Sequence, residues 1–185
     1  MPLSQSSGRN INLAGHIAAG IAGGLIASFV MEKVQAAIEE LSSDNGSAAG
    51  GGGQQHRKQQ EGEPATYKAA DAVATTIAGR HVPREWKPAA GAAVHYAFGA
   101  AVGAVYGAAA ARRREITALA GIPFGTAVWL VADEVGVPAV GLAKGPAEYP
   151  LSKHASALAA HVVYGATTEL VRRGLVRAFT SGRRG

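Results

Sequence analysis

Six ionisable residues sit inside or at the edge of apolar stretches that carry almost no other charge: His16, His95, Asp133, Glu134, His161 and Glu169. Charge in apolar surroundings is costly, so such residues are paired, functional, or both. Imidazole changes charge near neutral pH, and beside a carboxylate it can hold or pass on a proton. For His95 and His161 three readings are open: a hydrogen bond between helices or to water, proton handling, or metal ligation. Two imidazoles and a carboxylate can make a metal site. However, no HxxxH or HxxE spacing puts two ligands on one helix, and neither a metal nor another cofactor is expected. Glu169 has Arg172 and Arg173 at i+3 and i+4, the spacing of intrahelical ion pairs. Asp133 and Glu134 either mark a membrane boundary or join the two histidines.

The elements that must position these residues are four apolar stretches: Ile11 to Met31, Ala89 to Ala111, Ile116 to Ala132 and His154 to Val171. A spanning helix needs about 20 mostly apolar residues. The first two stretches fit that length, and the last two are at its short end. Pro123 is expected to kink or tilt the third. All faces of these stretches are apolar or small, as in helices buried in protein or lipid. The expected fold is therefore all-α: a polytopic membrane protein with four transmembrane helices and close Gly/Ala-rich packing. A signal peptide is the alternative for the first stretch, where Arg9 precedes the apolar run. A soluble Ala-rich bundle is the alternative for the whole.

The expected organisation is an N-terminal tail over 1–10, a first transmembrane helix with an extramembrane extension over 11–41, and a disordered Gly/Gln-rich linker over 42–64. A surface helix and connector follow over 65–88, then a three-helix membrane core over 89–175 and a basic tail over 176–185. The surface helix carries Ala69, Val73 and Ile77 on one side. It lies either on the membrane or in solvent. Lysines and arginines near short loops set orientation. Arg112, Arg113 and Arg114 join the second and third stretches, and Arg172, Arg173, Arg177, Arg183 and Arg184 follow the fourth. Both termini are thus expected inside, in the cytoplasm, with the linker and the segment from Gly136 to Lys153 outside. In that frame, at about 1.5 Å per residue, His95 and His161 lie roughly 9 and 11 Å below the outer ends of their helices. His16 and Glu169 share a level near the inner face.

Small residues recur at four-residue spacing. Gly20 and Gly24 lie on the first stretch, Gly99, Gly103 and Gly107 on the second, Gly121 and Gly125 on the third, and Gly165 on the fourth. Lipid is as apolar as leucine, so helices in a membrane associate where small residues let backbones approach. Packing is the plain reading of these stripes, and a pore-lining glycine zipper is the other. HYAFGA (His95 to Ala100) matches HVVYGA (His161 to Ala166) as H-x-x-aromatic-G-A, which suggests a parallel two-span repeat.

Composition excludes several chemistries. Among 185 residues there is no cysteine, which removes disulfides and thiolate metal sites. Net charge is +5 and mean hydropathy only +0.07. That average conceals the polar segment Ser42 to Lys87 beside nearly charge-free stretches. There is no Walker lysine, nucleophile elbow, HExxH or kinase motif, so an enzyme is not expected. Nor is there the aromatic–basic interleaving of nucleic-acid sites. The lipid bilayer is the expected partner, together with either a second copy of the chain or another membrane protein.

AAVHYAFGAAVGAVYG, WLVADEVGVPAVGL and YPLSKHASALAAHVVYGATTELVRR resemble the YagU-like family of bacterial inner-membrane proteins, a domain-of-unknown-function family. The resemblance covers about Ala65 to Arg173. It implies a multipass protein of the bacterial inner (plasma) membrane and a theme of acid resistance, and it brings no catalytic residues. Two functions are carried forward. One is a small transport-like or pH-responsive membrane protein of unknown substrate, acting through His95, His161, Asp133 and Glu134 with His16 and Glu169 inward. The other is a structural or scaffolding protein that assembles through the glycine stripes.

Overall fold

The computed structural model describes residues 5–47 and 63–181. Arg183, Arg184 and most of the Gly/Gln-rich linker lie outside the described residues. Among the described residues the chain is helical, with no strand. The elements are α1 (Gln5–Ser47), α2 (Ala65–Ala78), α3 (Lys87–Arg112), α4 (Ile122–Val128), a π-helix (Trp129–Gly136), α5 (Val137–Ala139) and α6 (Leu151–Ser181). Single turns of 3₁₀-helix precede α3 and α6, at Arg84–Trp86 and Pro146–Glu148.

Helix α1 is longer at both ends than the stretch 11–41. It begins inside the expected tail and runs on into the expected linker. The extension EKVQAAIEEL is rich in good helix formers, and the helix carries on through it. Three segments, Leu13–Ser42, Arg84–Arg112 and Glu115–Ala139, are long and apolar enough to cross a membrane. Helix α6 is long but less apolar, because it carries most of the buried polar residues.

The third apolar stretch does not form one helix from Ile116. Arg114–Gly121 is an irregular 3₁₀ segment broken by left-handed backbone at Leu119 (φ 50°), Ala120 (φ 53°) and Gly121 (φ 83°). The α-helix starts after it, with Pro123 in its first turn. Proline therefore opens this helix instead of kinking it, since a first-turn residue needs no intrahelical N–H bond. Left-handed backbone costs Leu119 and Ala120 roughly 1–2 kcal/mol each, so contacts elsewhere must hold the turn.

Helix α1 is the centre of the bundle, with α3 and α6 packed along it. Helix α4 rests on α6, and α2 rests on the start of α3. The buried apolar core is small: Ala27 and Met31 of α1 and Ala160 and Tyr164 of α6, with Phe124 and Val128 of α4 against them. What brings the helices this close is glycine. On α3, Gly99, Gly103 and Gly107 lie against Gly24, Gly20 and the His16 carbonyl of α1. A methyl group on Gly103 would stand 3.0 Å from the Gly24 Cα. Gly121, just before α4, and Gly125 of α4 lie against Gly165 and the His161 carbonyl of α6. Gly23 of α1 meets the Thr168 backbone of α6. The two matching H-x-x-aromatic-G segments thus sit in two similar helix pairs, α1/α3 and α4/α6.

On α2 the buried residue is Ala70, while Val73 and Ile77 are exposed. The Ala69/Val73/Ile77 side faces away from the bundle. Tyr67 instead lies over Gly91, where a Cβ would stand 2.7 Å from its Cε1. The α2–α3 connection is closed by Asp71, which accepts from the Val82 N–H at 2.8 Å and pairs with His81 at 2.6 Å.

Candidate functional site

Helix α6 organises the polar residues. His154, His161, Tyr164, Thr168, Glu169 and Arg172 follow one another at helical spacing along the side that meets the other helices. From His154 to Arg172 the line is about 27 Å long at the α-helical rise, close to the ~30 Å of a hydrocarbon layer. It has three parts: a group at the Arg172 end, called the inner group for the expected orientation, a middle, and an outer group at the His154 end.

The inner group centres on Glu169, which is fully buried. Arg172 grips its carboxylate at two points, Nε to Oε2 at 2.6 Å and Nη2 to Oε1 at 2.8 Å. Arg173 donates to the same carboxylate through Nε. The two spacings expected on one helix are both realised. Arg172 also donates from Nη1 to His16 Nδ1 at 3.1 Å, tying α6 to α1. Since a guanidinium only donates, His16 must be an acceptor there and is therefore neutral. Arg173 donates to the Thr117 carbonyl at 2.8 Å. Together with Gly121 beside Gly165, this bond holds the left-handed turn before α4. The Tyr106 ring of α3 closes the group, 5.9 Å from the Arg172 guanidinium carbon and stacked 4.1 Å from Phe124. Its hydroxyl is buried and turned toward Glu169 but closes no hydrogen bond.

In the middle, the Tyr164 hydroxyl donates to the Gly99 carbonyl at 2.7 Å, joining α6 to α3. Thr168 donates back to the Tyr164 carbonyl at 2.8 Å, so its hydroxyl is satisfied within its own helix.

The outer group splits in two. The π-helix carries Asp133 and Glu134, and both reach histidines of α6 that are seven residues apart. Two turns of α6 put His154 and His161 on one side, and the wider π-helix turn lets adjacent carboxylates both face them. His161 donates through Nδ1 to the Ala157 carbonyl at 2.9 Å, which leaves its Nε2 facing Asp133 Oδ2 at 3.7 Å. His161 is buried and Asp133 is partly open. His95 of α3 donates through Nε2 to the Ser28 carbonyl of α1 at 3.4 Å and faces Asp133 electrostatically. Glu134 does not join them. It pairs with His154 at 2.7 Å. Nearby, Tyr96 donates to Glu32 at 2.9 Å.

The structure thus brings together His161 and Asp133, with His95 in electrostatic range, and separately His16 and Glu169 through Arg172. It assigns Glu134 to a partner that sequence reasoning did not single out. The signal for His154 was its place two turns before His161. The role of Tyr164 in joining α6 to α3 could not be seen, because hydrogen bonding across helices leaves no spacing in one chain segment. The buried Ser28 Oγ and Trp129 Nε1 have no hydrogen-bond partner. Among the described residues, no three His, Asp or Glu side chains are grouped to hold a metal. Arg112, at the α3–α4 connection, is exposed and donates to the Ala108 carbonyl at 3.2 Å.

A family model described as a protein of unknown function (DUF1440) matches residues 72–170. That span holds both outer pairs and Glu169, and leaves out His16, Arg172 and Arg173. Comparison with curated proteins and with solved structures gave no match.

Proposed function

The chain belongs to DUF1440, a family of proteins of unknown function, and from that premise we propose that it is a pH-responsive multipass protein of the bacterial inner membrane, acting through His161, Asp133 and His95. The YagU-like resemblance agrees with this membership. In the proposed arrangement α6 is the fourth span and both termini are cytoplasmic. The arginines of the α3–α4 connection and of the end of α6 then lie inside, and the π-helix end of the bundle lies outside.

One observation carries the reading. The Ala157 carbonyl commits His161 Nδ1 as a donor. A neutral His161 would therefore turn a lone pair toward the Asp133 carboxylate 3.7 Å away. Two acceptors facing each other repel, and a proton on either turns repulsion into attraction. The pair joins two helices, so gaining that proton draws the π-helix toward α6. His95, bonded to the Ser28 carbonyl of α1, adds a second imidazole within electrostatic range of Asp133. Proton-linked movement of a solute and a conformational response to acid both follow from such a device, and the substrate class stays unassigned.

The test is His161→Gln and Asp133→Asn, with His95→Gln as the weaker variant, in reconstituted vesicles and in cells challenged with acid. Loss of proton-linked flux or of acid survival, with unchanged folding, is expected. Wild-type behaviour of both His161 and Asp133 variants from pH 5 to 8 would end the proposal.

The second reading is a scaffold assembling through glycine stripes. The stripes on α1, α3, α4 and α6 meet one another within the chain, so a partner would have to use the apolar outer faces, such as Leu25 and Phe29 of α1. Cross-linking in native membranes at those positions separates the two readings.

A further inference from the structure

His154 makes two hydrogen bonds, and both partners can only accept. Its Nδ1 lies 2.7 Å from Glu134 Oε1, and its Nε2 lies 3.1 Å from the Pro146 carbonyl oxygen. A neutral imidazole has one N–H, so it can make one of these bonds but not both. The second needs one more proton, held either on the ring or on Glu134. Carboxylic acids release protons near pH 4.3 and imidazolium near 6.5 in water, so the proton belongs on the ring. We propose that His154 and Glu134 form a proton-binding site of their own, whose bound proton fastens the connection 137–150 to the bundle. Its ligand is a proton taken from the water at the end of the bundle opposite the arginine-rich connection.

The surroundings suit that role. The side chains are partly open, His154 at 21 % and Glu134 at 15 %, so protons reach them without crossing the bundle. The three bonded groups come from three elements: Glu134 from the π-helix, Pro146 from the 3₁₀ turn, and His154 from the first turn of α6. Other charged groups on those elements have their own partners. Asp133 faces His161, and Glu148 accepts from the Gly145 N–H at 3.1 Å. On the neighbouring helices Glu32 accepts from Tyr96. Tyr149 is the remaining titratable neighbour, and its hydroxyl accepts from the Lys144 N–H at 3.3 Å. Lys144 is a cation of the same connection, and Lys153 is one of the first turn of α6. When the proton leaves, either the Pro146 bond or the Glu134 bond must open, and α6 loosens from the connection or from the π-helix. The site stands apart from the pair in the proposed function, since it shares no side chain with it.

The experiment uses the whole chain in phospholipid nanodiscs, with nitrogen-15 in its histidines. The His154 resonances are identified by their loss in His154→Gln. At pH 6 both ring nitrogens of His154 should be protonated. As pH rises, one proton should leave, and over the same pH step the protection of the amides across 140–150, corrected for the intrinsic rise of exchange with pH, should fall about fivefold, the factor expected for one hydrogen bond. Glu134→Gln should move that step to lower pH, and His154→Gln should abolish it. His161→Gln should leave it in place, which separates this site from the one above. A His154 ring found neutral at pH 6, or amide protection across 140–150 that does not change with pH in wild type, overturns the proposal. These two readouts come from the wild-type chain and hold even if a variant fails to fold.

Discussion

His16 and His154 lie at opposite ends of the bundle, and their imidazoles are held in opposite hydrogen-bonding roles. Arg172 donates to His16, so that ring is kept as an acceptor. Glu134 and the Pro146 carbonyl both accept from His154, so that ring is kept as a donor at both nitrogens. The inner end is shut: Glu169 is wholly buried and gripped by two guanidiniums. The outer end is ajar, with Asp133 41 % exposed and 3.7 Å from His161. Titratable groups that share one helix can therefore do different work. A buried carboxylate held by two guanidiniums makes the inner group a fastening, while the partly open pairs of the outer group are accessible to protons, as the proposed response requires.

The contrast can be broken hardest at Glu169. Replacing Glu169 by alanine strands Arg172 as an uncompensated buried cation and should cost about 3–5 kcal/mol, the usual penalty for halving a buried pair. Thermal unfolding in detergent measures it. A loss no larger than that of His154→Gln would show that the inner end is not the fastening. Next comes Gly103→Leu. Main chain stands on both sides of Gly103, with the Gly20 carbonyl carbon 3.2 Å from an added Cβ. Neither side can yield as a flexible side chain would, so at least the ~1–3 kcal/mol typical of overpacking is expected. The same assay, with disulfide trapping between α1 and α3, would show the helices separating. Unchanged trapping efficiency would mean the polar groups, not the seam, set the helix spacing.

Tyr164→Phe is a finer probe, because Tyr164 sits between the two ends. It removes one interhelical hydrogen bond to Gly99, which in membranes is worth about 0.6 kcal/mol on average. A small drop in melting temperature, with the acid response retained, is expected. Loss of the response would instead place Tyr164 in the proton path. The smallest effect lies outside the segments able to cross a membrane, at Asp71. Its hydrogen bond from His81, and then that from the Val82 N–H, hold its carboxyl below the usual carboxylate range. A lowered folded-state value means the ionised form favours the closed connection. The contribution is therefore full above the usual carboxylate range, near pH 3.9, and is lost as pH falls through the lowered value. The Val82 amide resonance should report that step in an acid titration, and Asp71→Asn should remove it. A Val82 amide blind to pH would show the bond is not made in solution.

Much of this was legible in the chain itself. Four-residue spacing marks Gly20, Gly24, Gly99, Gly103 and Gly107 as a close-packing side, because one side chain per turn is a property of any helix. Glu169 with Arg172 and Arg173 is legible for the same reason: both partners are within one turn of the same helix. The kink expected at Pro123 was misread. Proline forbids a helix interior, but it also opens helices, and only the left-handed turn at Leu119 to Gly121 decides between the two. The cluster expected around His95, His161, Asp133 and Glu134 was half legible. Shared depth follows from counting residues. Direction around the helix does not, because the π-helix at Trp129–Gly136 changes the turn by which Asp133 and Glu134 are aimed.

The chain alone therefore determined what periodicity and cost can specify: which stretches are apolar, which sides are small, and which charges need partners. The tertiary structure alone decided which partner each received. Glu134 went to His154 and Asp133 to His161, and the α1 seam went to α3 while the α6 seam went to α4. Hydrogen bonds and backbone contacts between helices depend on ångström-scale separations set by all the helices at once, and no local stretch of sequence contains them.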